Sequence, residues 1–315
     1  MSVWRVIRRE EMEILEYETP EWQASVALSS GGNLIRLRYL PKEVEILRFP
    51  RNGAELKARP ECFGSPLLLP PNRIADGMFQ ANHVLYRLPV NERETHSHLH
   101  GLVLGRRWTL LSAGEEGIAV GYRFSPRVPE YSGFPHEFQL ELRYCFAPEV
   151  VTTILSIRNS GRNAMPLGVG FHTTFLLPPE EEPSVAVPRG EGFWEVHPRR
   201  RLPTGRLLPW DPGFADLLDG KRSAASLPVA HLFPLRGKRE ALIRRSRCHI
   251  RYRFDEKYAH LACWNQGGNG DFFCIEPMSW MTNAPNLPLP PEISGFSFLE
   301  GGKTRIFRSA FRIEI

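Results

Sequence analysis

Cysteine is scarce and unpaired in this chain: Cys62, Cys145, Cys248, Cys263 and Cys274 are odd in number, widely spaced and contain no CxxC. That excludes a disulfide framework and a cysteine-based zinc site, and the five read as reduced, mostly buried thiols. Long apolar runs are absent as well. No segment approaches the roughly 18 apolar residues of a membrane span, and the N-terminal run carries charges where a signal peptide needs an apolar core. A cytoplasmic protein with no membrane partner is expected. Lysine is rare, so the formal charge of +5 comes almost wholly from arginine spread along the chain. No zinc-finger, helix-turn-helix or RNA-binding signature accompanies that charge, and no nucleic-acid partner is expected. A phosphate loop, a dinucleotide glycine fingerprint and a Gly-x-Ser-x-Gly elbow are all missing, which removes support for nucleotide-binding and esterase-type chemistry.

Helical periodicity is scarce too, and period-2 alternation takes its place. Gln139–Phe146 alternates polar and apolar residues, and Val151–Arg158 is β-branched and ends in the turn Asn159-Ser160-Gly161. Together they predict an antiparallel pair. Further strands are predicted at Ala24–Leu28, Leu34–Tyr39, Val44–Phe49, Ile118–Phe124, Leu167–Phe171, Ile250–Phe254, Leu261–Trp264 and Ile306–Glu314. Many short strands punctuated by 26 glycines and 28 prolines argue for an all-β sandwich or barrel. The stretch from Pro178 to Pro234 reads as the most irregular, an insertion beside a site. No internal repeat or long linker divides the chain, so a single domain over residues 1–315 is expected.

Four runs carry residues suited to chemistry. Arg73, after Asn72 in a turn, offers a planar fork of donors for carboxylate, phosphate or vicinal hydroxyls, or is an ordinary surface arginine. His96, His98 and His100 alternate, so an extended strand would point all three to one face. That pattern suits either a metal or a solvated strand, and no fourth ligand lies nearby. His100 is the member favoured for a site, with Gly101 giving the backbone room for close approach of a ligand. His172 follows the apolar run Leu167–Phe171 and is either a hydrogen-bonded core residue or a group held near neutrality for proton transfer. Glu276 closes the apolar stretch Phe272–Ile275 ahead of Pro277, at the mouth of a sheet. There it either caps a strand end or, enclosed by Phe272, Phe273, Ile275 and Trp280, is too costly to desolvate unless paired or used. The basic run His197-Pro198-Arg199-Arg200-Arg201 reads as a solvated loop or, alternatively, a phosphate-binding one.

Taken in order, these runs resemble the aldose 1-epimerase (galactose mutarotase) family. The matching residues are Asn72-Arg73-Ile74 with Gly77 and Phe79, then His98-Leu99-His100-Gly101 followed by Arg107-Trp108. Gly170-Phe171-His172 with Phe175 comes next, then Ile275-Glu276-Pro277 with Asn283-Ala284-Pro285-Asn286. The resemblance implies a large antiparallel β-sandwich (supersandwich) with the sugar in a cleft on one sheet face. It also implies cofactor-independent interconversion of the α and β anomers of a free aldose, with no metal. By the same match, Glu276 is the general base toward the C1 hydroxyl, His172 the general acid toward the ring oxygen, and Arg73 and His100 hold sugar oxygens. Phe79, Trp264 and Trp280 are candidates to cover the apolar face of a pyranose, Trp280 being the one assigned to substrate binding.

The chain departs from the family pattern where an Asp before a His-x-Phe run holds sugar hydroxyls. Its counterpart here is Ala230 in Val229-Ala230-His231-Leu232-Phe233, and Asp211, Asp216 or Asp219 are possible substitutes. Two other functions therefore stand beside the mutarotase: a hexose 6-phosphate 1-epimerase of the same fold, and a non-catalytic carbohydrate-binding or regulatory protein. The expected partner in each case is a monosaccharide or its phosphate, and the chain is expected to act as a monomer or homodimer.

Overall fold

Alternation decides how the sheets stack. In the computed structural model, which describes residues 2–9, 12–268 and 270–315, the predicted pair forms as Phe138–Ala147 against Val150–Asn159, with Gln139 opposite Arg158 and Leu142 opposite Leu155. Phe138, Leu140, Leu142 and Tyr144 point inward and the residues between them outward, as a half-buried strand requires. This pair sits inside a nine-stranded antiparallel sheet, beside Thr304–Glu314 and His249–Phe254. Met1, Glu10 and Glu11 of the charged N-terminal run lie outside the described residues.

A six-stranded sheet lies against it. Its order is Ala230–Pro234, His260–Trp264, Phe272–Met278, Gly170–Phe171, Leu67–Leu68, with Thr173–Leu176 also pairing Phe272–Met278. The two sheets meet where the Thr173 hydroxyl bonds that of Tyr252 at 3.0 Å and where Phe175 packs edge-on to Tyr252 and Phe311. Burying one such aromatic side chain stabilises the fold by about 1.5–3 kcal/mol. A third sheet of five strands, from Val3–Arg9 to Val44–Glu45, joins the nine-stranded one through Trp22 Nε1 to the Ala147 carbonyl and Tyr144 Oη to the Gly32 carbonyl. One cluster of buried side chains runs from Leu15 to Ile313, and from that continuity we infer one domain over 1–315. The molecule is an antiparallel all-β sandwich.

Three expectations change. Val44–Phe49 is a strand only at Val44–Glu45, with Leu47 making an isolated bridge to Phe175. Leu167–Phe171 splits into Met165–Pro166 and Gly170–Phe171, because the Val169 amide is taken by the Ser279 hydroxyl at 2.9 Å rather than by a neighbouring strand. The stretch from Pro178 to Pro234 is ordered, not irregular. It holds a hairpin (Gly192–Val196 with Pro203–Pro209), a helix (Pro212–Leu218) capped by Asp211, and three short strands. Its strands are short, proline-flanked and bulged at Trp194/Val196, so period-2 alternation has no room to show.

Candidate active site

The register of the six-stranded sheet brings the acid/base candidates together. Glu276 stands opposite Ala262 on one side. On the other, Gly170 pairs Met278 and Thr173 pairs Ile275, so His172, between the two short strands, faces Glu276. Their Nε2 and Oε1 atoms are 3.4 Å apart. Because side chains alternate, Thr173 and Phe175 enter the inter-sheet core while His172, Glu276, Ala262 and Trp264 share the opposite face. Glu276 is therefore not at a strand end. Phe272–Met278 continues through Pro277, is buried at every position, and holds the carboxyl mid-strand at 4% exposure.

A two-stranded ribbon supplies the rest. Arg73–Ala75 pairs Ser97–Leu99, with Leu99 opposite Arg73, and the His100 amide donates to the Asn72 carbonyl at 3.0 Å. Arg73 and His100 thus sit side by side. The His100 ring meets the His172 ring edge-on at 5.3 Å, and His100 Nδ1 and His172 Nδ1 are buried without a protein hydrogen-bond partner among the described residues. The motif Asn283–Asn286 fastens this ribbon to the Glu276 run: the Asn283 amide donates to the Arg73 carbonyl at 2.8 Å, and Asn283 Oδ1 accepts from the Ala75 amide at 3.0 Å. Gly101 has a role other than admitting a ligand. Its φ is +86°, and a Cβ there would lie 2.3 Å from the Leu69 carbonyl carbon, so the close approach is between two stretches of the protein's own backbone.

Alternation of three histidines on one face does not occur. Only Ser97–Leu99 is extended, and positive φ angles at His96 and His100 turn the chain at both ends. His96 faces Asp76 at the surface, His98 Nδ1 bonds the Pro89 carbonyl at 2.7 Å, and His100 alone enters the site. Among the described residues no group of three His, Cys, Asp or Glu side chains is arranged to hold a metal. Trp280 is also placed elsewhere: it is 1% exposed, stacks on Phe296 at 5.4 Å and packs against Gly168. Phe79 stacks on Tyr86 in the core. The aromatic beside the pair is Trp264, edge-on to His172 at 5.9 Å with the Arg59 guanidinium over its ring. The three proposed substitutes for an acidic residue at Ala230 are engaged: Asp211 caps a helix, Asp216 pairs Lys221, and Asp219 pairs Arg189.

Glu92 escaped the sequence reading. It grips Arg73 in a two-pronged ion pair, Nε to Oε2 at 2.6 Å and Nη2 to Oε1 at 2.7 Å, and accepts a bond from the Thr95 hydroxyl. Burial opposes the Glu92 charge, but the bonds from Arg73 and Thr95 win and hold its carboxyl below the usual range. Its place at an isolated bridge to Ser97, nineteen residues after Arg73, left no local signal.

Burial moves the two members of the pair in opposite directions. Burial pushes the Glu276 carboxyl up to about 8, opposed by Arg73 and assisted by Glu61. Burial also pushes the His172 imidazole down to about 4, with the Arg59 charge acting in the same direction. Between those values the two groups together hold one proton. His100 is driven well below its ordinary value by burial and by His172, Arg73 and His98. A groove of about 530 Å³ lined by Met12, Ser29, Leu56 and Lys57 lies apart from these residues and contains no comparable acid/base pair.

A family model described as aldose 1-epimerase matches residues 16–304. Among solved structures, a galactose mutarotase-like protein from Clostridium acetobutylicum superposes with a TM-score of 0.92 at 27% identity, over 100% of this chain and 98% of that one. A galactose 1-epimerase from Lactobacillus acidophilus shares the fold, with a TM-score of 0.77 at 16% identity over 100% and 98% of the two chains. The uncharacterised protein YihR of Escherichia coli is 29% identical over 110 residues, 35% of this chain and 34% of its own. A second uncharacterised E. coli protein, YphB, matches at 23% identity over 42% of each chain. The matched segments thus span well under half of either E. coli relative. The ordered residues, the sandwich and the match over residues 16–304 lead to one conclusion: this chain belongs to the aldose 1-epimerase family.

Proposed function

We propose that the protein is a cofactor-independent aldose 1-epimerase, with Glu276 and His172 as its acid/base pair and Arg73, His100 and Trp264 as its sugar contacts. The observation that carries this is the buried pair itself, 3.4 Å apart on the sheet face turned away from the inter-sheet core, where burial favours the neutral form of each group. Anomerisation takes one proton from the C1 hydroxyl and gives one to the ring oxygen, with no net change. A couple with one proton meets that balance. In the reactive form the pair's one proton sits on His172: the Glu276 carboxylate accepts the hydroxyl proton as the His172 imidazolium protonates the ring oxygen, the bond between C1 and the ring oxygen breaks, and the C1 carbonyl rotates. Reclosure from the other face then reverses both transfers. Arg73 favours the carboxylate form of Glu276, which supports Glu276 as the base once sugar hydroxyls replace the hydration that burial removed.

A solely sugar-binding role is less well supported, because a ligand site gains nothing from a buried carboxyl whose burial is opposed by its own charge. The free thiols of all five cysteines support a reducing compartment, the cytoplasm, as the place of action. Polarimetry on freshly dissolved α-aldoses tests the proposal. Faster equilibration is expected with the protein and a loss of about 10²–10⁴-fold with Glu276→Gln or His172→Gln. Equal rates for all three proteins on every sugar sink it.

A further inference from the structure

We propose that His260, together with the indole N–H of Trp194, binds a sugar hydroxyl that takes no part in anomerisation, and so helps set which aldose the site accepts. The inference rests on the epimerase reading above. His260 lies two residues before Ala262 on the strand His260–Trp264, so alternation turns it to the face that carries Glu276 and His172. The register fixes its place on that face. Ala262 stands opposite Glu276 and His260 opposite Met278, which sets His260 diagonally across from the Glu276 carboxyl, a spacing that long side chains bridge. Ala262 projects only a methyl group, so the floor beside Glu276 is low, with Trp264 rising on one side and His260 on the other. Leu232, opposite Ala262, and Ala230, opposite Trp264, continue that floor to the sheet edge.

Both ring nitrogens of His260 are buried without a hydrogen-bond partner among the described residues, and so is Trp194 Nε1. The two rings pack with centroids 6.3 Å apart, Trp194 reaching over from the hairpin Gly192–Val196/Pro203–Pro209. A buried polar group without a partner costs stability, and here two adjoining side chains carry that cost. Burial pushes the imidazole down to about 3, aided by the Arg236 and Arg239 charges. The nearby Ile293 carbonyl favours a proton on the ring but makes no hydrogen bond with it. His260 is therefore neutral at working pH, with one nitrogen to donate and one to accept. Imidazole and indole together match a hydroxyl, which both accepts and donates. They supply the acceptor that Ala230 lacks, from the strand beside it.

The test measures kcat/KM for anomer exchange, by polarimetry or NMR, on D-glucose, D-galactose and their 2-, 3-, 4- and 6-deoxy forms. In the wild type, removal of one hydroxyl is expected to cost about tenfold, the worth of one hydrogen bond. In His260→Leu the parent sugar loses about that factor through KM, and the same deoxy sugar loses nothing further, because hydroxyl and imidazole form one interaction. Trp194→Phe keeps an aromatic ring, removes the N–H and should lose part of the same discrimination, which serves if His260→Leu does not fold. His231→Leu is the control. His231 Nε2 is also buried without a partner, but its side chain lies on the opposite face, against Phe193, and the deoxy-sugar profile should stay as it was. A profile that penalises no hydroxyl, or one indifferent to both His260→Leu and Trp194→Phe, overturns the inference. Turnover of the parents that vanishes with Glu276→Gln leaves the epimerase reading intact in that event. If no sugar turns over, the epimerase reading fails, and calorimetric Kd values for the same sugars decide the hydroxyl subsite. Sugars that neither react nor bind overturn both.

Discussion

Glu276 is 4% exposed, and burial lifts its carboxyl from an ordinary 4.5 to about 8. That shift ties catalysis to a cost in stability. Between pH 4.5 and 8 the folded chain holds a proton that the unfolded chain has lost, so stability falls as pH rises through this window. The contribution is fully present below 4.5 and is gone above 8. At 1.36 kcal/mol per unit, a shift of this size amounts to about 5 kcal/mol between the two ends. Glu276→Gln keeps the size and hydrogen-bonding capacity of the protonated carboxyl and removes the titration. Its melting temperature is expected to track the wild type near pH 4.5 and to exceed it by something on the order of 5–10 °C at pH 9. Turnover in the same variant falls about 10²–10⁴-fold. Differential scanning calorimetry at half-unit pH steps reads the effect. Parallel melting curves for the two proteins across this range would refute the reasoning, since they would mean that the folded state carries an ionised Glu276 at no cost.

The rate of anomer exchange should be bell-shaped in pH, with limbs near 4 and 8 that belong to the His172–Glu276 pair as a unit. Below the first the pair gains a second proton, and above the second it loses the shared one; a flat profile in kcat/KM over that span counts against the pair. Glu92→Gln removes the carboxylate that orients and neutralises Arg73, and an approximately tenfold rise in KM is expected together with a downward move of the alkaline limb, because the uncompensated Arg73 charge lowers the Glu276 value further. Glu92→Asp should recover part of both, and unchanged kinetics in Glu92→Gln would remove Arg73 from the site. Trp264→Ala is expected to raise KM, whereas Trp280→Ala should cost about 3–5 kcal/mol in denaturant unfolding. A KM effect at Trp280 equal to that at Trp264 would reverse the assignment of the sugar-facing ring.

Much of the site was legible because it is written in short runs. Asn72-Arg73, His100-Gly101, Gly170-Phe171-His172 and Ile275-Glu276-Pro277 each carry a recognisable residue beside a turn former or an apolar strand. The long strands were legible for the same local reason: Gln139–Phe146 and Val151–Arg158 show their inward faces by alternation alone. Signals failed where the deciding contact was distant. Glu92 grips Arg73 across nineteen positions, Trp264 rather than Trp280 reaches His172, and the basic run ends at Asp76, more than a hundred residues away.

The sequence by itself determined the sandwich class and the residues able to exchange protons, since side-chain alternation and residue chemistry are local properties. Only the tertiary structure decided how those residues behave. The register of three strands sets Glu276 against His172, the surrounding core strips water from both and moves their proton affinities in opposite directions, and the Asp76 contact ties Arg200 to the turn after the Arg73 strand. Desolvation and pairing depend on what surrounds a group in space, which no run of neighbouring residues specifies.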